Sequence, residues 1–143
     1  MKHVCLWLAG CFFFMQAARA QRIPENQVPA SCVQAFHKLY PQVKSYFWEK
    51  EHDHFEANWK ENGYDHSAAF SAAGAFAGSE TDVPLSQIPA QIRQYADNHH
   101  LKIQEASINE DAHHRINYEL DDANGKAYIF DKQGQWIKTQ KAD

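Results

Sequence analysis

Cysteine is nearly absent from this chain. Three occur in 143 residues, and two of them, Cys5 and Cys11, fall in an apolar amino-terminal segment. Loss of that segment leaves Cys32 alone, which excludes an internal disulfide. Cys32 stands four residues after Val28 and four before Phe36. That is the spacing of one helix face, so Cys32 reads as a small buried apolar residue. No His or Lys motif adjoins it to favour a thiolate. Long apolar runs are lacking too. After Met15 no stretch approaches the ~20 residues of a membrane-spanning helix. Positive charge is not in excess: 14 Lys and Arg face 18 Asp and Glu, for a net charge of −4. Such a chain has no electrostatic footprint for nucleic acid or anionic lipid.

Catalytic signatures are missing as well. There is no Gly-x-Ser-x-Gly, no His-Glu-x-x-His and no phosphate-binding glycine loop. No nucleophile, base and orienting group can be assembled from local motifs, so the expectation is a protein that is not an enzyme and carries no cofactor. Glu49, Glu51 and Asp53 form an acidic stretch, which reads as solvation and protection of an edge strand.

What is present begins with an export signal. Met1-Lys2-His3 is a short basic start, Val4 to Met15 is almost wholly apolar, and Ala18-Arg19-Ala20 has the small-x-small pattern before polar Gln21. Residues 1–20 therefore read as a secretory signal peptide, with a soluble periplasmic product. The rival reading takes Leu8-Ala9-Gly10-Cys11 as a lipobox that anchors the chain through Cys11. Cleavage after Ala20 removes Lys2 and Arg19 but no acid, which takes the net charge to −6. The remaining 123 residues, 21–143, fit one domain with one core.

Those residues carry an internal repeat. Val28-Pro29-Ala30 recurs as Ile88-Pro89-Ala90, and Phe70-x-x-x-Gly74-x-Phe76 recurs as Phe130-x-x-x-Gly134-x-Trp136. Both pairs are offset by 60 positions, which predicts two units of about 26–82 and 83–143. Each opens on a helical period. Positions 28, 32, 35, 36 and 39 share one face, with Pro29 in the first turn and Pro41 at the end. Ile88, Ile92, Tyr95, Ala96 and His99 share the other, with Ser86 as a cap. The period then changes to two: Phe55, Ala57 and Trp59 before Asn62-Gly63, and Ile116, Tyr118 and Leu120 before Asn124-Gly125. The expected fold is α+β: a tandem duplicated unit of one helix plus four antiparallel strands, in a continuous antiparallel sheet covered by helices on one face.

Val-Pro at the helix start, Phe36, Tyr40-Pro41, Trp48-Glu49 and Phe130-Asp131-x-x-Gly134 resemble the PepSY-like, β-lactamase-inhibitor-like family of exported bacterial proteins. The resemblance runs from about Val28 to Ile137 and implies the tandem architecture of the β-lactamase inhibitor protein. It implies no established activity. The first copy departs at Ser71, where the second has Asp131, a change of turn chemistry.

Two features remain as candidate sites. His52-Asp53-His54, His99-His100 and His113-His114 are histidine-rich. On a strand His52 and His54 face one side and are positioned to share a divalent ion, whereas in a turn that geometry is lost. Tyr46-Phe47-Trp48 places rings on both faces of a strand. If Tyr46 and Trp48 pack under the helix, Phe47 looks outward, either covered by a loop or the other unit or exposed to a protein partner. The sequence thus points to an exported protein that binds another envelope or secreted protein through its open sheet face, as an inhibitor or modulator. The alternative is an envelope protein binding a small ligand or metal through its histidine-rich edges.

Overall fold

Helix α1 spans Ala30–Leu39 and helix α2 spans Ala90–Asn98 in the computed structural model, which describes residues 21–142. Each follows a proline, Pro29 or Pro89. A proline costs little there, since its fixed φ suits the start and its missing N–H would have no helical acceptor. Ser86 does not cap α2; it lies within the short 3-10 turn Leu85–Gln87, and no side chain caps the helix. Tyr40 closes α1 by donating its N–H to the Phe36 carbonyl at 2.8 Å.

The strands are β1 (Gln21–Ile23), β2 (Tyr46–Glu51), β3 (His54–Glu61), β4 (Tyr64–Ser71), β5 (Phe76–Asp82), β6 (Ile103–Asp111), β7 (Ile116–Asp122), β8 (Lys126–Asp131) and β9 (Trp136–Lys141). They form one antiparallel sheet in chain order. This corrects the expected tandem duplication of a helix-plus-four-strand unit. Residues 21–142 are mostly β, a single nine-stranded sheet with two short helices. Strand β1 precedes α1 and pairs with β2, with Ile23 opposite Trp48. Three residues carry no readable alternation, so local pattern could not announce β1.

Register sorts the side chains between two faces. Tyr46, Trp59, His66, Thr81, Ile108, Tyr118 and Phe130 stand opposite one another from β2 to β8. This face meets both helices. Cys32 and Phe36 of α1 pack with Trp48, Ala57, Trp59, Ala68 and Phe70. Ile92 and Ala96 of α2 pack with Ala106, Leu120 and Phe130. Phe36 is the aromatic hub of the first cluster, with the rings of Tyr46 at 4.7 Å, Trp59 at 5.5 Å and Trp48 at 5.6 Å. Ring pairs at such separations add about 0.5–1.5 kcal/mol each beyond the area they bury.

Glycines fix where the helices meet the turns. Gly74, in the β4–β5 turn, has φ +80°, and a Cβ there would lie 2.5 Å from the Ser31 backbone oxygen. Gly134, in the β8–β9 turn, has φ +77° and lies under the Gln91 side chain. Ser71 and Asp131 open these turns by different chemistry. Ser71 Oγ accepts one N–H, from Ala75 at 3.2 Å. Asp131 Oδ1 accepts two, from Gln133 at 2.9 Å and Gln135 at 2.8 Å.

Candidate functional site

The second sheet face has neither helix on it. One row across it runs Phe47, Asn58, Ser67, Glu80, Asn109, Asn117, Asp131. A parallel row runs Asp82, Ser107, Glu119, Ile129, Lys138. Glu49 stands directly opposite Glu56, and Glu105 opposite Asp121. Strand pairing has therefore collected carboxylates from β2, β3, β5, β6 and β7 on one surface. The sequence showed only the Glu49–Asp53 stretch, because the other acids are far apart along the chain.

These carboxylates shape one another's protonation. Burial, reinforced by the charges of Glu51, Glu49 and Glu80, pushes the Glu56 carboxyl up to about 7, against the Asn58 hydrogen bond. Burial and then Asp82, Asp121 and Glu105 push Glu80 up to about 7, against a hydrogen bond with Ser107. Glu80 is exposed as a whole residue. Solvent therefore screens the neighbouring charges more at Glu80 than at half-buried Glu56. Glu49 is also raised, by burial and then Glu51, with Arg22 opposing. Two amides bind acids here: Asn58 Nδ2 donates to Glu49 at 3.5 Å and Asn109 Nδ2 to Glu119 at 3.2 Å. Ser107 is the most buried polar residue of this face, at 5% exposure.

Phe47 lies on this face and is half-buried. The Arg22 guanidinium of β1 sits 4.1 Å from its ring centroid. Tyr46 and Trp48 take the other face. Trp48 is 1% exposed, and the Tyr46 hydroxyl donates to Glu25 at 2.6 Å. Burial, then the hydrogen bond and charge of Glu25, push that phenol up to about 12.

The histidines are dispersed. His52 sits in the β2–β3 turn at φ +47°, while His54 opens β3 on the acidic face. His114 bonds Glu110 and stacks on Phe76 at 5.1 Å. His99 bonds the Tyr95 carbonyl at 2.8 Å, and His66 stacks on Trp59 at 5.2 Å. Among the described residues, no three His, Cys, Asp or Glu side chains gather as a metal site, and no helix is long and apolar enough to cross a membrane. Cys32 is 0% exposed, and its thiol donates to the Ser71 carbonyl at 3.0 Å. Burial pushes that thiol up from its ordinary range. The signal-peptide residues, Cys11 included, lie outside the described residues.

No known family profile matches this chain, and no curated protein matches it. Its fold has solved counterparts. A BLIP-like protein of Bacteroides fragilis NCTC 9343 aligns with TM-score 0.70 at 16% identity, over 80% of this chain and 86% of its own. A DUF2874 family protein of Bacteroides ovatus ATCC 8483 aligns with TM-score 0.69 at 18% identity, over 80% and 88%. A protein of Bacteroides eggerthii DSM 20697, proposed to be periplasmic, aligns with TM-score 0.70 at 18% identity, also over 80% and 88%. At these identities the likeness is one of fold, and the fold is BLIP-like. The PepSY-like part of the resemblance has no counterpart among these structures.

Proposed function

We propose that this is an exported, non-enzymatic protein that binds another envelope or secreted protein through the open face of its sheet, as an inhibitor or modulator. The observation that supports this reading is the asymmetry of the sheet. Both helices and both apolar clusters lie on one face. The other presents a polar, acidic surface with the Phe47 ring at one end, next to the edge strand β1. A face left uncovered in this way is suited to a partner, and an aromatic ring on it is the kind of group that anchors one. The BLIP-like fold of the solved counterparts is in keeping with the reading. So is the secretory pattern of residues 1–20, which implies a soluble periplasmic product starting at Gln21.

The test is recovery of partners by the tagged protein from the exported fraction of its own host. Phe47→Ala and Glu80→Lys should each weaken recovery at least tenfold while the fold is retained. Equal recovery by the parent and both open-face variants would overturn the reading. Intact mass of the native protein checks its export: a chain beginning at Gln21 is expected, and a diacylglyceryl adduct on Cys11 would make it lipid-anchored.

A further inference from the structure

Strand β5 leaves the sheet before its two neighbours do. Val83 N–H still donates to the Ala106 carbonyl at 2.9 Å, but Pro84 has no N–H to give. The chain turns instead into Leu85–Gln87. Ladder pairing between β4 and β5 reaches only His66 opposite Thr81, so Tyr64 and Asp65 extend beyond it. On the other side Ile103 to Glu105 extend beyond Asp82, whose partner is Ser107. The slot between them has a volume of about 360 Å³, within the ~300–1,000 Å³ range of ligand sites.

Its lining is divided by chemistry. Tyr64, Leu85 and Ile103 supply apolar surface, and Asp65, Asp82 and Glu105 supply carboxylates. Leu85 is a large apolar side chain left 38% exposed here. The Tyr64 hydroxyl accepts a hydrogen bond from the Gln87 side chain, which ties β4 to the 3-10 turn. Lys60 pairs with Asp65 at 3.3 Å on the exposed surface. Among the described residues no ion pair holds Asp82 or Glu105.

We infer that this slot takes a lysine or arginine side chain presented by the protein partner. The methylene stem would lie along Tyr64, Leu85 and Ile103, with the charged head among Asp65, Asp82 and Glu105. Long basic side chains have this division, an apolar stem and a cationic tip, and the slot is divided the same way. Charge complementarity supports the choice. Burial and the neighbouring charges of Asp65 and Glu105 raise the Asp82 carboxyl, and only His66 opposes them. A bound cation would relieve that repulsion. Continuity supports it too. Asp82 and Glu105 also line the small cleft formed with Glu80, Ser107, Glu119 and Asp121 on the open face. A partner lying across that face would reach the slot with one side chain.

The inference rests on the proposed function and names the chemistry of its partner. The probes are acetyl-Gly-Lys-Gly-amide, its arginine analogue and its neutral norleucine analogue, titrated into the ¹⁵N-labelled exported protein. Both basic peptides should give saturable amide shifts centred on Asp65, Asp82, Leu85 and Glu105. The norleucine peptide should bind at least tenfold more weakly. Asp82→Asn with Glu105→Gln should weaken the basic peptides at least fivefold, and Glu105→Gln alone serves if the double variant loses its dispersed spectrum. Equal affinity for norleucine, shifts centred elsewhere, or no saturable shift at the slot would overturn the inference. If the peptides miss the slot while Phe47→Ala and Glu80→Lys still lose the partner, the binding-face reading stands and this inference alone falls. If they occupy it while those variants keep the partner, the reading of the open face falls instead.

Discussion

Gly74 and Gly134 hold corresponding places in the β4–β5 and β8–β9 turns, yet they should not tolerate alanine equally. Both have positive φ, which strains any side chain. At Gly74 the new Cβ meets the rigid backbone oxygen of Ser31, whereas at Gly134 it meets the movable end of Gln91. Gly74→Ala should therefore lose about 2–3 kcal/mol, and Gly134→Ala about 1 kcal/mol. Equal losses in urea unfolding would show that φ strain alone decides. The neighbouring residues Phe47 and Trp48 give a second contrast. Trp48 is fully buried under α1, and its truncation to alanine should cost about 3–5 kcal/mol. Phe47 is half-buried under Arg22, so Phe47→Ala should cost about 1 kcal/mol, chiefly the ring's partial burial and its cation contact. A loss at Phe47 as large as at Trp48 would make it a core residue and remove it from the binding face. Cys32, buried with its thiol pushed up, should react with thiol reagents only as the protein opens.

Among the elements, the β7–β8 hairpin shows how a turn depends on one ionised group. Asp122 is buried at the end of β7. Its Oδ1 accepts the N–H groups of Asn124 at 2.8 Å and Lys126 at 3.0 Å, and its Oδ2 meets the Tyr128 hydroxyl at 3.3 Å. Burial works against the charge, but these donors outweigh it and hold the carboxyl below its usual range. A depressed folded-state value contributes stability above the unfolded value, near 4, and that stability is lost as pH falls through the folded value. Asp122→Asn should thus be destabilising at pH 7, with the gap from the parent protein narrowing below about pH 4. A gap that stays constant down to pH 2 would mean that the turn depends on packing and not on charge. The outer strands differ in their defences. Strand β1 has only three residues, while β9 leaves Trp136 and Ile137 each 51% exposed. Lys138 and Lys141 sit on the same strand, and charges of this kind discourage edge-to-edge pairing.

Across the whole sheet the open face gathers carboxylates from five strands. Glu56 and Glu80, both pushed up to about 7, bind protons in the folded state that the unfolded chain has already released between about pH 4.5 and 7. Their contribution is therefore the reverse of Asp122's. Stability from these groups is complete below the unfolded value and falls as pH rises towards 7, after which it levels. Glu56→Gln should flatten that slope. It should stabilise the protein at pH 8 on the order of 1 kcal/mol, after allowance for solvent screening, and leave it unchanged near pH 4. Denaturant unfolding at several pH values checks this, and an unchanged slope would show that Glu56 titrates normally.

Periodicity is local, and what depends on it was legible in the sequence. The buried face of α1 through Cys32 and Phe36, the turn at Asn62-Gly63 and the opposite placement of Phe47 and Trp48 all follow from spacings of two to four residues. Pairing between strands is not local. Strand β1 is too short to carry a pattern, so only its hydrogen bonds to β2 reveal it and the Arg22 cover it brings to Phe47. The acidic face required the register that sets Glu49 opposite Glu56 and Glu105 opposite Asp121. The slot exists because β5 leaves the sheet at Pro84 between two longer neighbours. His52 and His54 were candidates only if both lay on one strand, and the β2–β3 turn separates them. Composition and spacing determined which residues could form a helix face or a strand. Long-range pairing alone decided which charges became neighbours, because a sheet joins residues through backbone bonds that carry no trace of side-chain order.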